Sequence, residues 1–355
     1  MGTSLLTNQS AMNALQTLRS IGDNMDTTQR RVSTGLRINE ASDNTAYWSI
    51  SSMMKSDRNA LSSVSDAMAL GKSQIDVANA TIDKSKDYLD NIQKSLTTAY
   101  EKGSGDVAKI QADIKANMND IQSAVYSASL AEKNILGNSG ESVRIAGSYR
   151  REGSNVYVDM IDVGGADLNF ATKNADGTFD LTKGVLKDVF GKAETAPDFA
   201  SLDSTLQEAQ AALAAKGDTA TEEDKNKVTQ AQQAITEAAK DMTVQDFVDT
   251  DFSKVSSATM EQVLKTVQGK VTTATSNVVT AGAALGAAKA QVTGQIDYVS
   301  KLMDAVDKGV GSLVDADMNA ESARLASLQV QQQLGIQALS IANQNSQNIL
   351  SLFRQ

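Results

Sequence analysis

Residues 61–99 read LSSVSDAMALGKSQIDVANATIDKSKDYLDNIQKSLTTA. Alternating steps of three and four land on Leu61, Val64, Met68, Gly71, Ile75, Ala78, Ile82, Ser85, Leu89, Ile92, Leu96 and Ala99, and ten of these twelve are apolar. That spacing lays one apolar stripe along a helix, predicting a rod about 58 Å long at 1.5 Å per residue. Gly103-Ser104-Gly105 then reads as a chain reversal. A second run, Val107, Ile110, Ile114, Asn117, Ile121, Ala124, Ala128, Ala131 and Ile135, ends at Gly137 to Gly140. A third uses Leu264, Val267, Val271, Ala274, Val278, Ala281, Leu285, Ala288, Val292, Gln295, Val299, Leu302 and Val306, a helix of about 65 Å. Three such rods are expected to pack as an antiparallel bundle, with Leu61, Ile75, Ile82, Leu89, Ile92 and Leu96 against Leu264, Val271, Leu285, Val292 and Val299.

Composition agrees. Hydrophobic residues are 41% of the chain but aromatics only 4%. Ala, Leu, Val, Ile and Met fill thin cores between helices, whereas a thick enzyme core usually draws on more aromatics. Proline occurs once, at Pro197, so nothing interrupts a long helix. Cys and His are absent, which excludes disulfides, Cys- or His-based catalysis and ordinary zinc sites. No apolar run is long enough to span a bilayer. Met1–Ser10 lacks the basic and apolar regions of a cleaved signal peptide. The expectation is a protein that is not an enzyme, carries no cofactor and enters no membrane.

The net charge of −10 is unevenly spread. Residues 138–254 hold 12 Lys and Arg against 21 Asp and Glu, a net of −9. Met1–Leu18 and Leu325–Phe353 carry no charged side chain. With no basic stripe to neutralise phosphate, nucleic acid is not an expected partner. Both charge-free ends repeat the helical spacing: Ala11, Leu15, Leu18, Gly22, Met25, Gln29, Val32 and Leu36 at one, Leu325, Leu328, Gln332, Gly335, Leu339, Ala342, Ser346, Ile349 and Phe353 at the other. Alone, each seam buries too little to offset its ordering entropy. The ends are therefore expected to be disordered in a free monomer and to order only against each other and neighbouring molecules. The Gln and Asn side chains near the C-terminus offer hydrogen bonds to such neighbours.

Between the rods the period changes to two. Val143-Arg144-Ile145 and Val156-Tyr157-Val158 flank a hairpin tip at Arg150-Arg151-Glu152-Gly153. Asn174-Ala175-Asp176-Gly177 reads as a turn, and Ser201–Ala215 and Thr221–Met242 as helices separated by Gly217-Asp218. Gly71-Lys72-Ser73 resembles the end of a phosphate loop, but Asp66 stands where the first glycine belongs. Asp249-Thr250-Asp251 and Asp315-Ala316-Asp317 lack the rest of a calcium loop and suit capping or solvation. Glu222-Glu223-Asp224 suits a helix N-terminus better than acid–base catalysis. Trp48, Met53 and Met54, on a helix starting near Asp43, suit core or intersubunit packing.

Several stretches resemble a known family. Arg31-Val32-Ser33-Thr34-Gly35-Leu36-Arg37-Ile38-Asn39 and Ala41-Ser42-Asp43-Asn44, within Leu5–Asp57, are similar to the N-terminal signature of bacterial flagellin. Gln331-Gln332-Gln333, Ala342-Asn343-Gln344 and Gln347-Asn348-Ile349-Leu350-Ser351-Leu352-Phe353-Arg354 resemble its C-terminal signature. Ala46-Tyr47-Trp48-Ser49-Ile50 is similar to flagellins of alphaproteobacteria, rhizobia in particular. The likeness covers roughly residues 1–140 and 255–355.

The resemblance implies a mainly α fold: an elongated antiparallel long-helix bundle, or coiled-coil rod, with paired terminal helices and a small α+β outer insertion. Residues 1–42 and 311–355 would form the terminal coiled coil of a filament core. Residues 43–140 and 252–310 would form the helical rod, and 141–251 the variable surface. It implies a filament subunit exported unfolded, without a cleaved signal peptide, and polymerised outside the cell for motility. Core assembly would rest on Leu15, Leu18, Met25, Val32, Leu36, Leu325, Leu328, Leu339, Ile349, Leu350 and Phe353. Implied partners are other copies of the chain, in a single or mixed filament, an export chaperone, a filament cap and hook-associated proteins. Ser33, Gly35, Arg37, Ile38, Asn39 and Asp43 match the family's plant-elicitor segment, whereas Leu36, Ser42, Asn44, Thr45, Tyr47 and Trp48 depart from the strongly eliciting pattern. Asp90-Asn91-Ile92-Gln93-Lys94-Ser95 lacks the arginine of the family's animal-receptor patch. Host immune receptors are accordingly expected to respond weakly. A hook–filament junction protein is the alternative within the family, and an amphipathic membrane-active or translocator protein the alternative outside it.

Overall fold

The structure, a computed structural model, describes residues 8–102, 106–153, 155–193 and 197–352, with 101–102 and 345–352 by backbone alone. The protein is mainly α, with three small antiparallel two-stranded sheets among the described residues. The elements are α1 (Gln9–Thr34), α2 (Thr45–Lys102), α3 (Val107–Ser127), β1 (Ser129–Leu130), β2 (Lys133–Asn134), β3 (Ser142–Glu152), β4 (Asn155–Gly164), β5 (Thr172–Lys173), β6 (Phe179–Asp180), α4 (Lys187–Phe190), α5 (Phe199–Lys216), α6 (Glu222–Lys240), α7 (Val244–Asp249), α8 (Ser257–Val314) and α9 (Met318–Leu352). The chain divides into two compact units: a terminal unit, Met1–Ser62 with Ser300–Gln355, and a central unit, Ser63–Val299.

The 58-residue helix α2 buries all twelve positions of the stripe that begins at Leu61. In α8, Leu264, Val267, Val271, Ala274, Val278, Ala281, Leu285, Val292 and Val299 are buried, and Ala288, Gln295, Leu302 and Val306 half-buried. Within the central unit the two helices run antiparallel. Gln268 Nε2 donates to Thr97 Oγ1 at 3.4 Å and Lys289 Nζ lies 2.6 Å from Asp76 Oδ1. A Cβ at Gly282 would lie 3.2 Å from Ile82 Cγ2. Small residues in α8 thus let α2 approach closely, as the Ala-rich seam implies.

Helix α3 corrects two expectations. Its buried stripe is Val107, Ile110, Ile114, Met118, Ile121 and Val125; Asn117 and Ala124, which strict heptad stepping selects, are only half-buried. A straight helix turns every 3.6 residues, so three and five turns from Val107 end nearer positions 118 and 125 than 117 and 124. The helix also ends at Ser127 instead of running to Ile135. Ala131 and Glu132 take φ of 52° and 64°, and the chain doubles back as β1 pairs with β2. Such a turn is usually marked by Asn-Gly; neither residue is present at 131–132. Asn134 fastens it, donating to Val125 O at 2.8 Å and accepting from the N–H groups of Leu136 and Gly137. The reversal at Gly103-Ser104-Gly105 lies outside the described residues.

The β3–β4 hairpin contains both expected strands, with a register shift between Ala146 and Ser148. Its base docks on α2: a Cβ built at Gly71 would overlap Ile145 Cγ2. Gly71-Lys72-Ser73 therefore marks a packing notch and no phosphate loop. Helices α5 and α6 lie where the Ala-rich stretches place them, separated by Gly217 at φ 47°. Asp224 of the acidic triplet completes a capping box with Thr221, and the Lys216 ammonium 2.7 Å away holds its carboxyl well below the ordinary range.

A deeper carboxylate joins α5 to the start of α8. Asp203 is 0% exposed. It accepts from Ser256 N at 2.9 Å, Ser256 Oγ at 2.5 Å, Gln207 Nε2 at 2.7 Å and the Thr259 hydroxyl. It thus caps α8 from 53 residues upstream, where the helix dipole favours negative charge. Burial pushes this carboxyl upward, but hydrogen bonds from Ser256, Thr259 and Gln207 outweigh it and hold it below its ordinary 3.8.

Two outcomes follow. Gly71→Leu should lift the hairpin off α2 and destabilise the protein by about 1–3 kcal/mol, read as a lower urea midpoint. Asp203→Asn should cost about 1–3 kcal/mol at neutral pH, because an amide faces donors with a donor. A lowered folded pKa contributes stability above the unfolded value that disappears as pH falls through the folded one. Thermal melts of wild type and variant should therefore converge below pH of about 4.

Candidate assembly surface in the terminal unit

Helices α1 and α9 pair antiparallel within the terminal unit. Asn8 Nδ2 donates to Ala342 O at 3.1 Å, Leu18 packs on Gly335, and Arg31 Nη1 lies 3.1 Å from Glu321 Oε1. A Cβ at Gly335 would come within 3.2 Å of Leu18 Cγ. The face of α9 toward α1 carries Leu325, Leu328, Gln332, Gly335, Leu339 and Ala342, all half-buried except Leu328, which is buried. On α1, Leu18, Met25 and Val32 are half-buried, as is Leu36 just beyond it, and Thr28 is buried. Leu15 is 41% exposed and lies off the contact, and Gln29 is exposed. The reason is register: positions 14, 18, 21, 25, 28 and 32 also repeat every seven residues, but they put Ala14 and Thr28 on the seam in place of Leu15 and Gln29. Phe353 lies outside the described residues, as do the side chains of Ile349 and Leu350.

The loop after α1 fastens the end of α8. Gly35, at φ 71°, closes α1 in the left-handed conformation, and its carbonyl accepts from Ala316 N at 2.9 Å. Arg37 N and Ile38 N donate to Val314 O at 2.6 and 3.3 Å, and Arg37 Nη2 to Leu313 O at 2.8 Å. These donors satisfy carbonyls that the helix end leaves open, and the guanidinium complements its dipole. Ile38, Val310 and Val314 form a small core with Leu36, Met54, Val306 and Leu313 against it. Asp43 accepts from Asn39 N and Glu40 N, which hold its carboxyl below the ordinary range. Asp317 caps α9 by accepting from Asn319 N and Ala320 N. Of the elicitor-like residues, Gly35, Arg37, Ile38, Asn39 and Asp43 all belong to this fastening, and Ser33 is exposed.

A second apolar set goes unnoticed in heptad stepping. Val330, Leu334 and Ile341 are 56, 58 and 65% exposed. At about 100° per residue they share one face of α9, opposite the face that meets α1. Met12 and Leu15 on α1, and Tyr47, Trp48, Ile50 and Met53 on the first turns of α2, are also exposed. The available signal is apolar side chains off the main frame in charge-free stretches of these helices. Met54 turns inward to the small core, so Met53 and Met54 part company. Among the described residues no cluster of three His, Cys, Asp or Glu side chains could hold a metal, and no helix is long and apolar enough to cross a membrane.

Residues 5–140 match the bacterial flagellin N-terminal helical region, and residues 268–353 the bacterial flagellin C-terminal helical region. The chain is 49% identical to a flagellin of Bartonella bacilliformis across 96% of this chain and 97% of that one. It is 39% identical to a flagellin of Brucella melitensis across 99% of each. It is 37% identical to flagellin D of Rhizobium meliloti across 99% of this chain and all of that one.

Pairing of α1 and α9 can be tested by crosslinking, because the chain has no cysteine of its own. Leu18→Cys combined with Gly335→Cys should oxidise to an intramolecular disulfide visible as a gel-mobility shift, whereas Leu18→Cys with Ala326→Cys should not.

Proposed function

The chain belongs to the bacterial flagellin family, and on that footing we propose that the uncovered face of α9 and the neighbouring apolar positions of α1 and α2 join copies of the chain into the filament core. The protein is a structural subunit of the flagellar filament, an extracellular motility structure, and self-assembles. The observation that carries the reading is the exposed stripe Val330, Leu334 and Ile341 on a helix whose other face is already paired. Burying a large aliphatic side chain is worth about 1.5–3 kcal/mol, so leaving three uncovered in each copy favours association.

In this reading residues 1–42 and 311–355 form the inner core, 43–140 and 252–310 the next shell, and 141–251 the outer surface. Leu18, Met25, Val32, Leu36, Leu325, Leu328 and Leu339 hold each pair of terminal helices together. Leu15, off that contact, joins the set that meets other copies. Along the rod, Leu61, Ile75, Ile82, Leu89, Ile92 and Leu96 pack with Leu264, Val271, Leu285, Val292 and Val299. The subunit is exported unfolded, with a chaperone covering its apolar end until it docks beneath a cap. Hook-associated proteins receive the first subunits. Its terminal helices order fully only on docking. The elicitor-like segment is occupied in fastening α8, which favours weak recognition by host receptors. Catalysis has no part in this role.

Leu334→Asp, on the uncovered face of α9, tests the proposal. It should place a charge in a dry, repeated seam at a cost of roughly 3 kcal/mol or more per subunit. Sedimentation and electron microscopy should find no filaments, while circular dichroism of the monomer keeps the signal of α2, α3 and α8. Long filaments from the variant would defeat the reading.

A further inference from the structure

The chain contains twelve methionines and no cysteine, so its sulfur chemistry rests on thioethers. The described methionines include two contrasting groups. Met68, Met118, Met242 and Met260 are at most 2% exposed, inside the helical packing of the central unit. Met12, Met53 and Met318, all in the terminal unit, are 54, 51 and 42% exposed. Met12 stands three residues from exposed Leu15 on α1, and Met53 three from exposed Ile50 on α2, so each thioether is a neighbour within an apolar patch. Met318 opens α9.

An exposed thioether reacts with hydrogen peroxide in a balanced two-electron step. The sulfur lone pair attacks one peroxide oxygen, the O–O bond breaks, a sulfoxide forms and water leaves. The thioether is oxidised and the peroxide reduced, with no further co-reactant. The product is polar, and burial in a dry contact leaves its oxygen without a partner.

We propose that Met12, Met53 and Met318 are sulfoxidation sites of the unassembled subunit, where hydrogen peroxide blocks filament formation and polymerisation in turn protects the three thioethers. This rests on the filament reading above. The same apolar contact that joins copies decides which sulfurs an oxidant can reach. A methionine there packs adaptably against a neighbouring copy, and a sulfoxide does not.

The test uses the full chain, as monomer and as filament, treated with hydrogen peroxide and mapped by peptide mass spectrometry. Met12, Met53 and Met318 should oxidise in the monomer and lose that reactivity in the filament, while Met68 and Met118 stay unreacted in both. Oxidised monomer should lose polymerisation, and methionine sulfoxide reductases should restore it. The combined Met12→Leu, Met53→Leu, Met318→Leu protein should polymerise equally well before and after peroxide. Equal oxidation of the three sites in monomer and filament would overturn the proposal, and so would a triple variant that peroxide still inactivates. Untreated wild-type protein that forms no filament would instead bring down the filament reading itself.

Discussion

Helix α9 has two apolar faces, and among the described residues α1 is the helix that packs on one of them. Leu325, Leu328 and Leu339 turn toward α1, while Val330, Leu334 and Ile341 turn to solvent. Among the described residues no third layer covers the outer stripe. Between the apolar positions lie Gln331, Gln333, Gln337 and Asn343, and no charge. Amides can exchange hydrogen bonds with a neighbouring copy, whereas a buried charge would need a counter-charge at every contact. The segment is thus marginal alone and well suited to repetition.

Helix α8 shows how distant parts of the sequence fasten its two ends, each end within its own unit. Asp203 caps its first turn, and Arg37 with the N–H of Ile38 satisfies its last carbonyls. One donor set lies 53 residues from its acceptor and the other 276. A helix of 58 residues would survive frayed ends, but each cap also ties a loop or neighbouring helix to it. Contacts so far apart carry loop-closure entropy. The ends of α8 consequently report whether the insertion and the loop after α1 have folded, while its middle depends mainly on α2.

Much of this was legible from residue spacing, for a physical reason. Ile75, Leu89, Ile92 and Leu96 recur where a long helix needs them, and one proline leaves no competing interpretation. The hairpin of Ile145 and Val158 was legible by its alternation, and α5 and α6 by their alanines and the intervening Gly217. Two things were hidden. The end of α3 depends on Ala131 and Glu132 taking positive φ, which nothing in their chemistry announces; only Asn134, able to bond backbone on both sides, hinted at a turn. The second face of α9 was hidden because one heptad frame assigns each residue to a single seam, and Val330 and Leu334 fall outside it. Leu15 was misplaced for the same reason. Of the candidate site, the pairing face could be read from spacing, and the uncovered face only from its exposure.

The distribution of charge closes the argument about repetition. Of the net −10, residues 138–254 carry −9, while Met1–Leu18 and Leu325–Phe353 carry no charged side chain. In any regular polymer a charge on one copy recurs on every copy, and the repulsion grows where copies crowd and water is excluded. Charges separated by more than about 8 Å of physiological salt solution are largely screened; charges in a dry contact are not. In the proposed arrangement the acid therefore lies where solvent screens it and copies are furthest apart, and the contacts nearest the axis are left to aliphatic side chains and amides. Arg31 and Glu321, the half-buried pair between α1 and α9, fit this rule because they neutralise each other within one copy at 3.1 Å. That pair adds no net charge to repeat, so it can fix the register of the two helices without opposing the next subunit.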